Sequence, residues 1–119
     1  VIPAFLIGRK LAGNLGGFIT GMIIAINANF LGRTAGGFSD TDAYNIFFPL
    51  LVTWLFIEAL TQKDTKKRII YASLAGLSIG LFSFAWGGWW YIFDFMLVGI
   101  GIYTFYLIIK KIYILFLKV

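Results

Sequence analysis

Residues 43–60 read AYNIFFPLLVTWLFIEAL and carry a single charged side chain, that of Glu58. A helix of this length extends about 27 Å, which is close to the thickness of the hydrocarbon core of a bilayer. Further long apolar runs lie at residues 15–31, 69–86 and 89–109. These runs predict an all-α, polytopic membrane helix bundle with four spanning helices, and with partial helices at both ends of the 119-residue chain.

The composition supports a membrane protein and excludes several other classes. The chain is 61% hydrophobic and only 13% charged, whereas soluble domains are about 25% charged. It contains no Cys and no His, which excludes disulfide frameworks, thiolate nucleophiles and imidazole metal ligands. The net charge of +5 comes from cations grouped between the apolar runs. This grouping is typical of membrane topology, so we expect contacts with membrane lipids and none with nucleic acid.

The positive-inside rule gives the chain one consistent orientation. If the cations at residues 9–10 are cytoplasmic, those of the basic loop at 61–68 and of the pair at 110–111 fall on the same side. The interval at 32–42, which holds an acidic motif, and the aromatic turn at 86–91 then lie outside. We therefore expect an integral multi-pass protein of the cell membrane, with the acidic motif on the extracytoplasmic side.

The acidic motif consists of Asp40 and Asp42, directly before the run at 43–60. Two carboxylates at this spacing can converge on one hard cation such as Mg²⁺ or Mn²⁺, which prefers oxygen ligands. Alternatively, Ser39, Asp40 or Asp42 caps the helix that begins near Ala43, since carboxylates favour the positive end of a helix dipole. The two interpretations are compatible, because one oxygen can cap while another binds metal.

Arg33 is the one cation that departs from the topology pattern, because it lies in the acidic interval. Its planar guanidinium either binds a phosphate or a carboxylate, or extends from the bilayer interface into water. Gly36 and Gly37 either let a substrate approach the backbone closely or simply form a flexible turn. Trp86 belongs to an aromatic group around Gly87 that is typical of a membrane interface.

Two further carboxylates lie within apolar runs. Asp94 is about five residues into the run at 89–109, so it is a candidate functional group within the membrane or a residue of the interface. Glu58 lies close in sequence to the cations at residues 63–68. We expect it to pair with them.

Two segments of the chain resemble a known family. Residues 32–42, GRTAGGFSDTD, continue into AYNIF and resemble the catalytic subunit of oligosaccharyltransferases, with the archaeal members most similar. Residues 84–88, FAWGG, are similar to the family's S-A-W-G-G segment at the outer end of a later helix. Residues 7–11, IGRKL, fit the cytoplasmic turn that precedes the motif-bearing region.

The resemblance implies part of a GT-C-type membrane glycosyltransferase. Such an enzyme transfers an oligosaccharide from a polyprenyl (dolichyl) phosphate or pyrophosphate carrier to Asn in Asn-x-Ser/Thr of an acceptor polypeptide, and it uses Mn²⁺ or Mg²⁺. By this resemblance Asp40, Asp42 and Arg33 are catalytic, and the two aspartates bind the metal. The residues implied to bind the carrier are Arg33, Gly36, Gly37 and Trp86.

Parts of the family's pattern are missing from the chain. Its first acidic motif, a later catalytic Glu and the W-W-D-Y-G domain do not occur, so the resemblance implies an internal transmembrane fragment that is inactive alone. Two alternatives stay open. One is another membrane glycosyltransferase that depends on polyprenyl-phosphate sugars, and the other is a non-enzymatic polytopic transporter or assembly subunit.

Overall fold

A computed structural model describes residues 1–34 and 41–116, apart from the side chains of Arg33, Asp42 and residues 114–116. These ranges contain helices and no strand, which confirms the predicted all-α fold. The helices are α1 (Ile2–Ala25), α2 (Ala28–Thr34), α3 (Asp42–Thr61), α4 (Thr65–Ala85) and α5 (Trp90–Phe116). The chain divides into two compact units, Val1–Gly87 and the residues from Gly88 onward.

The described residues contain three segments long and apolar enough to span a membrane, at Ala43–Thr61, Thr65–Ala85 and Trp90–Tyr113. The prediction of four spanning helices is therefore wrong by one. The run at 15–31 is interrupted after α1, and the Asn27 side chain accepts a hydrogen bond of 3.0 Å from the backbone N–H of Phe30. An Asn at this position caps a new helix, so α2 begins within the run.

The element α1 consists of two helical segments that form a helical hairpin. The chain reverses at Ala12 and at Gly13, whose φ of +72° is readily adopted only by glycine. The two segments then pack closely, since a Cβ at Gly8 would lie 2.6 Å from the Gly16 carbonyl oxygen and would also overlap the Thr20 hydroxyl. The predicted partial helix at the N-terminal end is thus paired with the segment that follows it.

The helix α5 also differs from expectation. It continues through Lys110 and Lys111 to Phe116, so the apolar residues after the two lysines extend the spanning helix, as far as the structure describes them. The sequence predicted a separate partial helix there. The lysines do not end the helix because Lys is a good helix former.

The intervals between helices are shorter than the charge pattern predicted. Helix α2 continues through Thr34, and α3 begins at Asp42, so both enter the predicted interval 32–42. Helix α4 begins at Thr65, because the Asp64 side chain accepts a hydrogen bond of 3.0 Å from the Lys66 N–H. Most cations of the predicted basic loop therefore lie on the first turn of α4.

Helices α3 and α4 form an antiparallel pair, and α1 packs against α3. The Phe48 and Phe82 rings stack with centroids 5.5 Å apart, and Trp54 meets Tyr71 edge to face at 6.3 Å. These contacts bring the start of α3 beside the end of α4. We call this the acidic end of the unit, and we call the opposite end, where α3 ends and α4 begins, the basic end.

Glu58 does not pair with the cations of residues 63–68, which corrects the sequence prediction. Its carboxylate lies 2.9 Å from the Lys10 ammonium and also accepts a hydrogen bond of 3.1 Å from Gln62. The α1 hairpin brings Lys10 to α3 across 48 positions of sequence. The cations at residues 9–10 and 61–68 therefore share the basic end, as the positive-inside rule predicted.

We predict that Gly8→Ala destabilises the protein by about 1–3 kcal/mol, because the added methyl group overpacks the hairpin. Gly76→Ala is the matched control, because a Cβ added at Gly76 would lie more than 4 Å from any other atom that the structure describes outside its own helix turn. Alanine also favours a helix over glycine, so this control should be neutral or slightly stabilising. Thermal unfolding of the purified protein in detergent measures both. Equal effects of the two substitutions would contradict the hairpin.

Candidate functional site

The acidic end places two of the predicted site residues on adjacent helices. Asp42 is the first residue of α3, and Thr41 holds the N-cap position. Asp42 is therefore not the cap that one interpretation of the sequence proposed. Arg33 lies in the last turn of α2, which contacts α3. Asp40, Ser39, Gly36 and Gly37 lie outside the described residues.

The start of α3 suits an anionic group even without a side-chain cap. The first N–H groups of a helix have no partner within it, and together with the aligned peptide dipoles they create a positive potential. Asp42 occupies the first helical position, where the helix dipole favours an acidic residue. An arginine on α2 and an aspartate on α3 thus come from two elements in contact.

An aromatic ladder, formed by Tyr44, Phe48, Phe82 and Trp86, supports the acidic end. The successive ring centroids are separated by 6.3, 5.5 and 6.0 Å. Phe82 is fully buried, whereas Trp86 remains 39% exposed. The ladder fixes Trp86, a predicted carrier-binding residue, at the same end as Asp42. The spacing of four residues within each helix was visible in the sequence, but the pairing of Phe48 with Phe82 was not.

Asn45 is a site candidate that the sequence motifs did not indicate. Its side-chain oxygen is buried and has no hydrogen-bond donor within the described part of the chain. Pro49 lies four residues later inside α3 and has no N–H for the Asn45 carbonyl. The Asn45 side-chain oxygen is therefore an acceptor without a described donor one turn into the helix, and the Asn45 backbone carbonyl lacks its usual helical partner. The sequence signal was an Asn in an apolar run, followed by Pro at the fourth position.

The described residues provide only part of a metal site. Residues 1–34 and 41–116 contain no group of three acidic side chains that could together hold a metal ion. Asp42 and Asn45 occupy positions three apart on α3, and such positions share one helix face. Carboxylate and amide oxygens are suitable ligands for Mg²⁺ and Mn²⁺. The orphaned Asn45 oxygen therefore fits a cation at this end, and further ligands have to come from elsewhere.

Asp94 lies in the second unit, on α5. Its side chain is exposed and borders a shallow cleft with Trp90, Tyr91 and Val98. No cation of the described ranges forms an ion pair with it. Its place in the second turn of α5 agrees with a residue at the membrane interface more than with one at mid-membrane.

The chain is similar to known glycotransferases over nearly its whole length. The sequence model of the family "Oligosaccharyl transferase STT3, N-terminal" matches residues 1–119. A dolichyl-phosphooligosaccharide-protein glycotransferase of Methanococcus voltae is 30% identical over 109 residues, which cover 89% of this chain and 12% of that protein. An undecaprenyl-diphosphooligosaccharide–protein glycotransferase of Campylobacter jejuni is 24% identical over 111 residues, covering 92% of the chain and 14% of the relative.

A third relative is the dolichyl-monophosphooligosaccharide–protein glycotransferase AglB of Haloferax volcanii. It is 36% identical over 70 residues, which cover 58% of this chain and 7% of that protein. The chain thus spans less than a sixth of the length of each of these curated relatives. No solved structure matches the chain.

We predict that Phe82→Ala lowers the stability of the protein by about 3 kcal/mol, because it removes the buried centre of the aromatic ladder. Phe84→Ala deletes the same ring two residues away, where the side chain is 90% exposed, and should change stability by less than about 0.5 kcal/mol. Thermal unfolding in detergent distinguishes them. A larger loss of stability in Phe84→Ala than in Phe82→Ala would contradict the described packing of α4 against α3.

Proposed function

The chain belongs to the oligosaccharyl transferase STT3 family, and from this premise we propose that it is the segment of a membrane oligosaccharyltransferase that carries an acidic, metal-binding motif. The enzyme would transfer an oligosaccharide from a polyprenyl (dolichyl) phosphate or pyrophosphate carrier to Asn in Asn-x-Ser/Thr of an acceptor polypeptide. The observation that carries the proposal is the family match over residues 1–119. That range includes the acidic motif at the start of a spanning helix.

The names of the relatives support the two proposed substrates. Dolichyl-phosphooligosaccharide and undecaprenyl-diphosphooligosaccharide are lipid-linked oligosaccharides, and both names give protein as the acceptor. A lipid-linked donor is compatible with three membrane-spanning helices, because its hydrocarbon tail lies in the bilayer. We extend both substrate classes to this chain, within its full-length protein.

The proposed metal ligands are Asp40 and Asp42, with the Asn45 side-chain oxygen as a further candidate. A bound Mn²⁺ or Mg²⁺ supplies a positive charge that stabilises the negative charge developing on the carrier phosphate as it leaves. The positive end of α3 attracts the same phosphate. These roles need only oxygen ligands, in agreement with a chain that contains neither His nor Cys.

The remaining predicted residues would bind and orient the carrier. Arg33 would donate hydrogen bonds from its planar guanidinium to the carrier phosphate, or would orient the acidic side chains. Gly36 and Gly37 would let the substrate approach the backbone, since glycine has no side chain. The exposed part of Trp86, held by the aromatic ladder, would contact the apolar part of the carrier.

We predict that Asp40→Ala reduces glycan transfer to an Asn-x-Thr peptide by about 100-fold or more in the full-length protein, because it removes a charge-stabilising group. Asp42→Ala and Arg33→Ala should also reduce transfer. Asp64→Ser is the control: it removes a carboxylate at the basic end but retains a residue that can cap α4. Transfer at the parental rate by all three site variants would refute the assignment.

Removal of the metal tests the cofactor separately. Chelation of divalent cations should abolish transfer by the parent, and added Mn²⁺ or Mg²⁺ should restore it. Asp40→Ala should need a higher metal concentration for half-maximal activity, since one ligand is lost. Activity that survives thorough chelation would exclude the metal site while leaving the transferase assignment intact.

We also propose that the acidic end lies on the extracytoplasmic side of the cell membrane, with the basic end in the cytoplasm. The 119 residues contain no Cys. In a full-length protein without other cysteines, a single introduced cysteine therefore reports which side of the membrane its position faces. An impermeant maleimide should label Gly87→Cys in intact cells, and Lys67→Cys only after permeabilisation. These positions lie near opposite ends of α4, and the reverse labelling pattern would overturn the orientation.

A further inference from the structure

The basic end contains a cleft that the proposed transferase site does not use. It has a volume of about 330 Å³ and is lined by Leu6, Arg9, Lys10, Trp54 and Glu58. The α1 hairpin supplies the first three residues, and α3 supplies the other two. The acidic motif is at the other end of α3, so the cleft and the motif are separate places in the same unit.

The charges of the cleft leave one cation without an anionic partner. Glu58 is already satisfied by the Lys10 ammonium at 2.9 Å and by the Gln62 amide at 3.1 Å. Within the described ranges, no carboxylate pairs with Arg9. The pair of Lys10 and Glu58 is close to neutral, so Arg9 gives the cleft a net positive charge. An anionic ligand would neutralise this charge.

The hairpin fixes the backbone position of Arg9, whose side chain lines the cleft with residues of α3. Gly17 packs against the first helical segment so closely that a Cβ there would lie 2.9 Å from the Phe5 carbonyl oxygen and 3.0 Å from the Arg9 Cβ. The backbone at Arg9 is therefore set by close packing.

The depth of the cleft indicates what kind of anion enters it. Glu58 lies three residues before the end of the candidate span Ala43–Thr61, and Trp54 lies one turn closer to the middle of that span. Leu6 and Trp54 form an apolar wall next to the charged residues. Tryptophan is enriched where hydrocarbon meets headgroups. An occupant with an anionic head and an apolar tail therefore matches both parts of the cleft.

We propose that this cleft binds an anionic phospholipid. Arg9 donates hydrogen bonds to the lipid phosphate, and an acyl chain lies against Leu6 and Trp54. The proposal does not depend on the transferase function, since it concerns the opposite end of the unit.

The test measures how phosphatidylglycerol stabilises the full-length protein in a neutral detergent. Its unfolding temperature should rise with added phosphatidylglycerol, and much less with phosphatidylcholine. Arg9→Gln should weaken the apparent affinity for phosphatidylglycerol by about tenfold or more, because it removes a charge-assisted contact with phosphate. Lys67→Gln makes the same change of charge on the exposed first turn of α4, and it should leave the affinity within about twofold of the parent.

A second variant at the same position controls for a loss of affinity that is caused by misfolding of Arg9→Gln. Arg9→Lys keeps the charge but loses the planar guanidinium, so its affinity should fall between those of the parent and Arg9→Gln. Parental affinity in both Arg9 variants would overturn the proposal. Equal losses in Arg9→Gln and Lys67→Gln would also overturn it, because they indicate general surface charge. Inorganic phosphate that stabilises the protein as well as the lipid would exclude a lipid site.

Discussion

The stacking of Phe48 on Phe82 is the contact on which the first unit depends. Lipid tails are as apolar as the side chains that face them, so helices in a membrane gain little from burying apolar surface. Their association depends on close fit. Phe82 and Val52 are fully buried between the helices, and the two rings lie 5.5 Å apart. This contact sets the register of α3 against α4, and that register brings Trp86 to the same end as Asp42.

The same register places the acidic end and the basic end at opposite ends of α3. At one end of α3 an aspartate occupies the first helical position, and a buried Asn45 oxygen has no donor among the described residues. At the other end Glu58 joins α3 to the α1 hairpin through Lys10. The first end has a buried acceptor oxygen without a donor among the described residues, whereas the second has an excess of cations. Neither end needs His or Cys.

The sequence predicted the helices α3, α4 and α5 because the length of an apolar run is enough to define a spanning helix. It failed for residues 1–31, where single residues determine the backbone conformation. Gly13 reverses the chain through a positive φ, and Asn27 starts a new helix with its side chain. The partner of Glu58 was also missed, because the contact with Lys10 exists only after the hairpin has formed. At the acidic end, residue types indicated Asp42 and Arg33, but the position of Asn45 emerged only from packing.

Pro49 has a consequence for the motion of the acidic end. A helix holds each turn by bonds from N–H groups to carbonyls four residues earlier, and Pro49 cannot make that bond to Asn45. The first turns of α3 are thus held by one bond fewer than the rest of the helix. Local opening there costs less free energy than opening in the middle of α3, where Val52 and Leu55 are buried. The backbone between Asp42 and Pro49 can therefore adjust while the part of α3 around Val52 and Leu55 stays rigid.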